Sequence, residues 1–234
     1  MLEVVYTNDP KTVERIIKKY EEWLKEDKNK FVGLDLEYTR KSSYMRQGIA
    51  VVQLAMHEHV LVYHYCRSER SQALLDFLQH KAVTFVSVDT RSDNTMLAHA
   101  WIKIPGEYHV DIQRKFCIKG GEERDSMGDL AAAIIDPSYK NMKKSFPKEK
   151  HQFWKWKPLS PLHLEYAAKD GYVSYELYRR ILIIKHGLCH LHQQPMKDRL
   201  CPHKNKHDGS SNGWKCKKGN NGWSIARKWM STLN

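Results

Sequence analysis

The 234-residue chain is 41% hydrophobic, with a net charge of +12 and a pI near 9.4. This fits one sizeable globular domain with an appendage and excludes disorder throughout, while apolar runs such as Ile181 to Ile184 fall far short of the roughly 18 residues that would span a bilayer. The basic excess points to a polyanionic partner, because Lys and Arg gain free energy from counterion release at phosphates, and it is concentrated in residues 187–234, where nine Lys and Arg face two Asp and Glu.

Leu2 to Thr7 reads as a strand, and Asp9 followed by Pro10 opens an amphipathic helix through Val13, Ile16, Ile17, Tyr20 and Leu24. The N-terminal stretch MLEVVYTNDP lacks the charged, apolar and small-residue succession of a secretory signal. Cys66, Cys117, Cys189, Cys201 and Cys216 are odd in number and irregularly spaced, which reads as reduced thiols. Both features lead us to expect an intracellular chain, nuclear or cytoplasmic, with no membrane partner.

The second strand is FVGLDLEY, Phe31 to Tyr38, followed by a basic segment and by strands at Ile49 to Leu54 and Val60 to Tyr63 turning around His57 and Glu58. A helix through Ala73, Leu74, Phe77 and Leu78, a strand at Val83 to Val88 and a helix marked by Met96, Leu97 and Trp101 come next. This alternation favours an α/β sheet. A short strand at Val110 to Ile112 and a helix over Leu130 to Ile135 lead into residues 138–157, which carry no period and read as an irregular basic and aromatic loop. Ser160 as N-cap and Pro161 at the first turn open a long helix that reaches Lys185 and His186, softened in its middle by Gly171 and stopped by Gly187. A domain over residues 1–186 and a basic, Cys-, His- and Trp-containing extension over residues 187–234 are therefore expected.

Asp35 and Glu37 raise a question, because they interrupt an otherwise apolar strand and a carboxylate removed from water costs several kcal/mol unless a positive charge meets it. Alternation along a strand points both to one face. Asp93 follows the strand ending at Val88, where α/β folds often place chemistry. Asp170 lies four residues after Tyr166, so helical spacing stacks phenol and carboxylate. Such acids, if they converge, suit hard divalent cations such as Mg²⁺ or Mn²⁺.

In this order, GLDLEY, SVDTRSDNTML and LEYAAKDGYVSYELY resemble the three motifs of the DEDDy 3′-5′ exonucleases, the family of ribonuclease D and the Werner syndrome exonuclease domain. The resemblance covers roughly residues 1–186. It implies a ribonuclease-H-like fold, a mixed central sheet flanked by helices, with Asp35, Glu37, Asp93 and Asp170 as acids for two metal ions and Tyr166 orienting or deprotonating the attacking water. The implied activity is metal-dependent 3′-5′ shortening of single-stranded or frayed nucleic acid, leaning to RNA over DNA, with nucleoside 5′-monophosphates as products. Asp89 is a rival to Asp93, and Arg91, unusual for the family at that place, would either weaken metal binding or contact phosphate.

Arg40, Lys41 and Arg46 either grip the substrate backbone or form a solvated loop. Trp154 and Trp156, interleaved with lysines, either stack on bases or pack the loop onto the long helix. Tyr172, Tyr175 and Tyr178 read as packing residues. In the extension, Cys189, His190, His192, Cys201, His203, His207 and Cys216 match no standard zinc-finger spacing, so a basic extension that raises nucleic-acid affinity is read ahead of structural Zn²⁺ or a zinc-organised docking element. The alternative function is a non-catalytic nucleic-acid-binding module that keeps the fold.

Overall fold

The structure is a computed structural model that describes residues 2–41, 43–44, 46–116, 125–185, 215–219 and 222–227. Strand β1 (Leu2–Thr7) leads into α1 (Pro10–Glu26), where the Asp9 carboxylate caps the Lys11 and Thr12 amides and the five apolar residues named above are the buried ones. Then come β2 (Phe31–Tyr38), β3 (Ile49–Met56), β4 (His59–Tyr63), α2 (Gln72–Leu78), β5 (Thr84–Ser87) and α3 (Thr90–His99). The short β6 (His109–Asp111) and α4 (Ile112–Lys115) precede α5 (Met127–Ile134) and the long α6 (Pro161–Lys185).

Six strands form a mixed sheet in the order β6-β5-β2-β3-β4-β1, antiparallel between β2, β3 and β4 and parallel at the other junctions. A hairpin of β7 (Lys215–Gly219) and β8 (Gly222–Arg227) continues the sheet, β8 pairing antiparallel with β1. The stop at Gly187, the Cys and His set from Cys189 to His207, Cys117, Trp214 and Trp229 lie outside the described residues.

The sheet is buried along almost its whole middle: every residue of β3 and β4 is buried, as is β2 up to Glu37. Against it lies α6, at unusually short range. A Cβ added to Gly33 on β2 would stand 2.6 Å from the Gly171 carbonyl oxygen and 2.7 Å from the Tyr175 nitrogen, and one on Gly171 would stand 3.0 Å from the Gln53 Cβ. Gly171 therefore does not soften the helix, which runs unbroken from Pro161 to Lys185; it brings helix and sheet backbones together. Tyr175 stacks on Phe31 at 4.9 Å, the packing role expected of it.

Two further expectations need correction. Trp101 does not lie on a buried face of α3: the helix ends at His99, Trp101 takes a left-handed turn at φ 58, and it is 87% exposed. The Ile102 amide bonds back to the Leu97 carbonyl at 2.9 Å and Ile102 occupies the core position instead, because the helix ends at His99, before the tryptophan that periodicity would place on it. The segment 138–157 is also more ordered than an irregular loop. It holds 3₁₀ turns at Pro137–Asn141 and Lys148–Phe153, and its apolar side chains Met142, Phe146 and Trp154 are buried.

Candidate active site

Asp35 and Glu37 share one face of β2, and Gly33 precedes them on it by the strand's period of two. Because Gly33 admits α6 so closely, Asp170 comes down onto the same spot. One oxygen from each of Asp35, Glu37 and Asp170 lies within 4.8 Å of the others, and all three side chains are buried. The sequence placed these acids on one strand and one helix; the close helix-sheet contact makes them a cluster.

Burial pushes the Asp35 carboxyl well above the ordinary carboxylate range, Asp170 pushes it further, and the Lys143 ammonium opposes both. Glu37 is raised in the same way by burial, Asp35 and Asp170. Asp170 is raised by burial too, while Lys143 and the Tyr166 hydroxyl beside it pull it back. The site thus concentrates negative charge where water cannot screen it.

Asp93, in the first turn of α3, is buried at 5% exposure but stands apart from the compact trio. Its carboxylate accepts a hydrogen bond from the Tyr38 hydroxyl, at the far end of β2. Burial raises its pKa to about 7 against the opposing Tyr38 bond. Asp89, the rival acid, faces Arg91, whose Nε and Nη2 donate to its two oxygens at 2.6 and 2.7 Å. Arg91 is thereby held on Asp89, at the surface, and its guanidinium is not turned onto Asp93.

Tyr166 lies one turn before Asp170 on α6, and burial together with Asp170 raises its hydroxyl above the ordinary tyrosine value. Behind it, Phe146 packs at 4.3 Å between ring centroids and His151 edge-on at 5.5 Å. Trp154 joins this group, stacked on Phe146 at 5.6 Å and only 1% exposed, so its ring is packed rather than available to stack on a base. Trp156 is 63% exposed beside Phe153 at 4.3 Å and stays open to such a contact.

Beside Glu37 opens a cleft of about 500 Å³, walled on one side by Tyr38, Arg40 and Lys41 and on the other by Lys148, His151 and Gln152. Arg40 Nη1 donates to Gln152 Oε1 across it at 3.0 Å. Arg46 is exposed and does not line this cleft. Two residues absent from the sequence reading matter here: Tyr38, which follows Glu37 after a β-bulge, and Lys143, whose Nζ lies 2.9 Å from Asp170 Oδ2. Strand periodicity does not specify that Tyr38 meets Asp93 on another element, and nothing in a run as rich in lysine as KNMKKSFPKEK singles out Lys143.

The donor set fits a hard divalent cation. All its members are buried carboxylate oxygens, and Asp170 Oδ1 has no hydrogen-bond partner. No helix among the described residues is long and apolar enough to cross a membrane.

The comparisons with known proteins agree with this geometry. The family described as 3′-5′ exonuclease matches residues 11–183. The Drosophila melanogaster protein named Exonuclease 3′-5′ domain-containing protein 2 is 24% identical over 164 residues, 65% of this chain and 25% of its own length. Escherichia coli RNase D has a TM-score of 0.62 at 13% identity, covering 86% of this chain and 51% of the enzyme. The catalytic core of RRP6 from Trypanosoma brucei gives 0.60 at 15% identity, covering 84% and 52%. The chain therefore spans about a quarter of the curated relative and about half of these solved structures. The solved structures establish the ribonuclease-H-like exonuclease fold, and since the family match runs from the first turn of α1 almost to the end of α6, this chain belongs to the 3′-5′ exonuclease family.

Proposed function

We propose that the protein is a metal-dependent 3′-5′ exonuclease that shortens single-stranded or frayed nucleic acid to nucleoside 5′-monophosphates. The observation that carries this reading is the buried trio Asp35, Glu37 and Asp170, whose member Glu37 lines a cleft flanked by Arg40, Lys41 and Lys148. Carboxylates would be a poor floor for a phosphate site on their own; basic walls above them suit a polyanion whose scissile group meets a cation. Asp35, Glu37, Asp93 and Asp170 would hold two Mg²⁺ or Mn²⁺ ions, which supply charge neutralisation at the scissile phosphate, an activated water and a stabilised leaving oxygen.

The chain's own residues do the rest. Tyr166 would orient the attacking water by hydrogen bonding from its place beside Asp170. Tyr38 fixes Asp93 by hydrogen bonding, which limits the positions that carboxylate can take. Arg40 and Lys41 would bind phosphates behind the terminal nucleotide, and exposed Trp156 would stack on an unpaired base. Burial of the acids excludes bulk water, so every charge interaction there is stronger than at the surface.

RNA is placed ahead of DNA. Escherichia coli RNase D is described as an exoribonuclease involved in structured RNA processing, and Trypanosoma brucei RNase D, with a TM-score of 0.57 to this chain, was solved in complex with RNA U12. The test is a time course with 3′-labelled and 5′-labelled single strands of RNA and DNA, in Mg²⁺, Mn²⁺ or EDTA. A ladder shrinking from the 3′ end, dependent on metal and faster on RNA, is expected. Intact strands in every lane, with binding retained, would make the protein a binding module with a nuclease fold.

A further inference from the structure

We infer that Lys143 is a tethered cation that occupies the carboxylate site of the metal-free protein and must be displaced when a divalent ion loads. This rests on the reading of Asp35, Glu37 and Asp170 as a metal site. Lys143 Nζ lies 2.9 Å from Asp170 Oδ2 and 5.5 Å above the Tyr166 ring. Among the described residues, no other ammonium or guanidinium is paired with Asp35, Glu37, Asp93 or Asp170. The ammonium therefore sits where a divalent ion is needed, against a carboxylate with 1% side-chain exposure.

Its mounting is that of a group that can leave. The Lys143 side chain is 45% exposed, and it stands on the turn between the two 3₁₀ segments. Its neighbours in the chain, Met142 and Phe146, are buried and anchor that turn, so the lysine can swing outward without unpacking the core. An ammonium and a divalent ion on one carboxylate repel each other, and this repulsion is strong in a site shielded from water. Asp170 keeps its second oxygen, Oδ1, without a partner. The arrangement is thus incomplete with the lysine alone, since one ammonium cannot satisfy a buried group of three acids.

The consequence is a competition. Lys143 offsets part of the repulsion among the acids while no metal is bound, and each metal-binding event is weakened by the contact it must break. Removing the ammonium should tighten metal binding, whereas damage to a merely structural residue would weaken it.

The experiment is calorimetric titration of Mn²⁺ into the full chain, without nucleic acid, for the wild type, Lys143→Met and Lys143→Gln, with Lys144→Gln as a control for net charge at a neighbouring exposed position. Circular dichroism identifies any variant that fails to fold, and the second Lys143 variant then carries the test. Mn²⁺ affinity about tenfold higher in the Lys143 variants and unchanged in Lys144→Gln is expected. Equal or weaker affinity in a folded Lys143 variant would overturn the inference while leaving the proposed exonuclease intact. An equal gain in Lys144→Gln would overturn it as well, by reducing the effect to net charge. Absence of Mn²⁺ binding in every protein would overturn both this inference and the metal site on which it rests.

Discussion

Two buried polar groups in this domain meet the same physical difficulty in opposite ways. At the β1–β4 end, His64 Nδ1 accepts a hydrogen bond from the Tyr6 hydroxyl at 2.8 Å while its Nε2 donates to the Trp154 carbonyl at 3.0 Å, and His59 Nδ1 meets the Tyr20 hydroxyl at 2.8 Å. Burial lowers the pKa of His64 to about 4 and of His59 to about 3, so both stay neutral at physiological pH. Between β2 and α6, three acids are gathered with one lysine while Asp93 stands apart on α3, burial raises the pKa of all four, and one oxygen of Asp170 is left without a partner. The first group is held neutral, with hydrogen bonds at both nitrogens of His64 and at Nδ1 of His59, although His59 Nε2 has none; the second gathers negative charge, which is what a site for cations and phosphate requires.

Replacing the central acids separates the two groups most sharply. Asp35→Asn with Glu37→Gln should reduce 3′ shortening by at least about 10³-fold, the scale on which preorganised charge stabilisation is lost. The same variant should melt higher than the wild type in EDTA, by roughly 2–4 °C for each kcal/mol of relieved repulsion. A lower melting temperature in EDTA would show that the acids stabilise the fold and would remove the contrast.

Varying pH should separate them by sign. Asp93 has a folded-state pKa raised to about 7 against an ordinary value near 3.9, so in the metal-free protein it keeps a proton that the unfolded chain loses. That contribution is fully present below about pH 4 and is lost as pH rises towards 7. A ligating cation needs the deprotonated carboxylate, so the rise in melting temperature produced by Mg²⁺ should grow from pH 5 to 8. The histidines act in the other direction: their lowered pKa values give stability that is present above about pH 6.5 and lost as pH falls towards 4. They affect loaded and metal-free protein alike and cancel in the difference. Melting in Mg²⁺ and in EDTA across this range checks the sign, and a flat difference would count against the acids as ligands.

The smallest expected effect lies in the histidine group. Tyr20→Phe leaves the buried His59 Nδ1 and the Leu54 carbonyl without the hydroxyl that met them at 2.8 and 3.1 Å. It should cost about 1–2 kcal/mol of stability by chemical denaturation while leaving 3′ shortening and the Mg²⁺-induced gain unchanged. A loss of activity matching the loss of stability would mean that the two groups are coupled through the sheet.

Much of this architecture was legible along the chain because it depends on local rules. The Asp9 cap and the spacing of Val13, Ile16, Ile17, Tyr20 and Leu24 specify α1, and alternation in FVGLDLEY specifies a strand with Asp35 and Glu37 on one face. The end of α3 was misread because Trp101 continues the apolar period that the backbone abandons at His99. Residues 138–157 gave no period at all, so neither the burial of Trp154 nor the inward reach of Lys143 left a local trace.

The sequence by itself determined which acids the protein carries and which elements present them. It also determined the Tyr166–Asp170 stacking, since a helix turn fixes the relation of residues four apart. Tertiary structure alone decided that the acids converge, because that depends on Gly33 and Gly171 letting α6 and β2 approach from distant parts of the chain. It decided that Arg91 is held by Asp89, that Tyr38 holds Asp93 and that Lys143 answers Asp170. Periodicity encodes the direction in which a side chain leaves its own element, whereas a partner across the fold is set by how those elements pack.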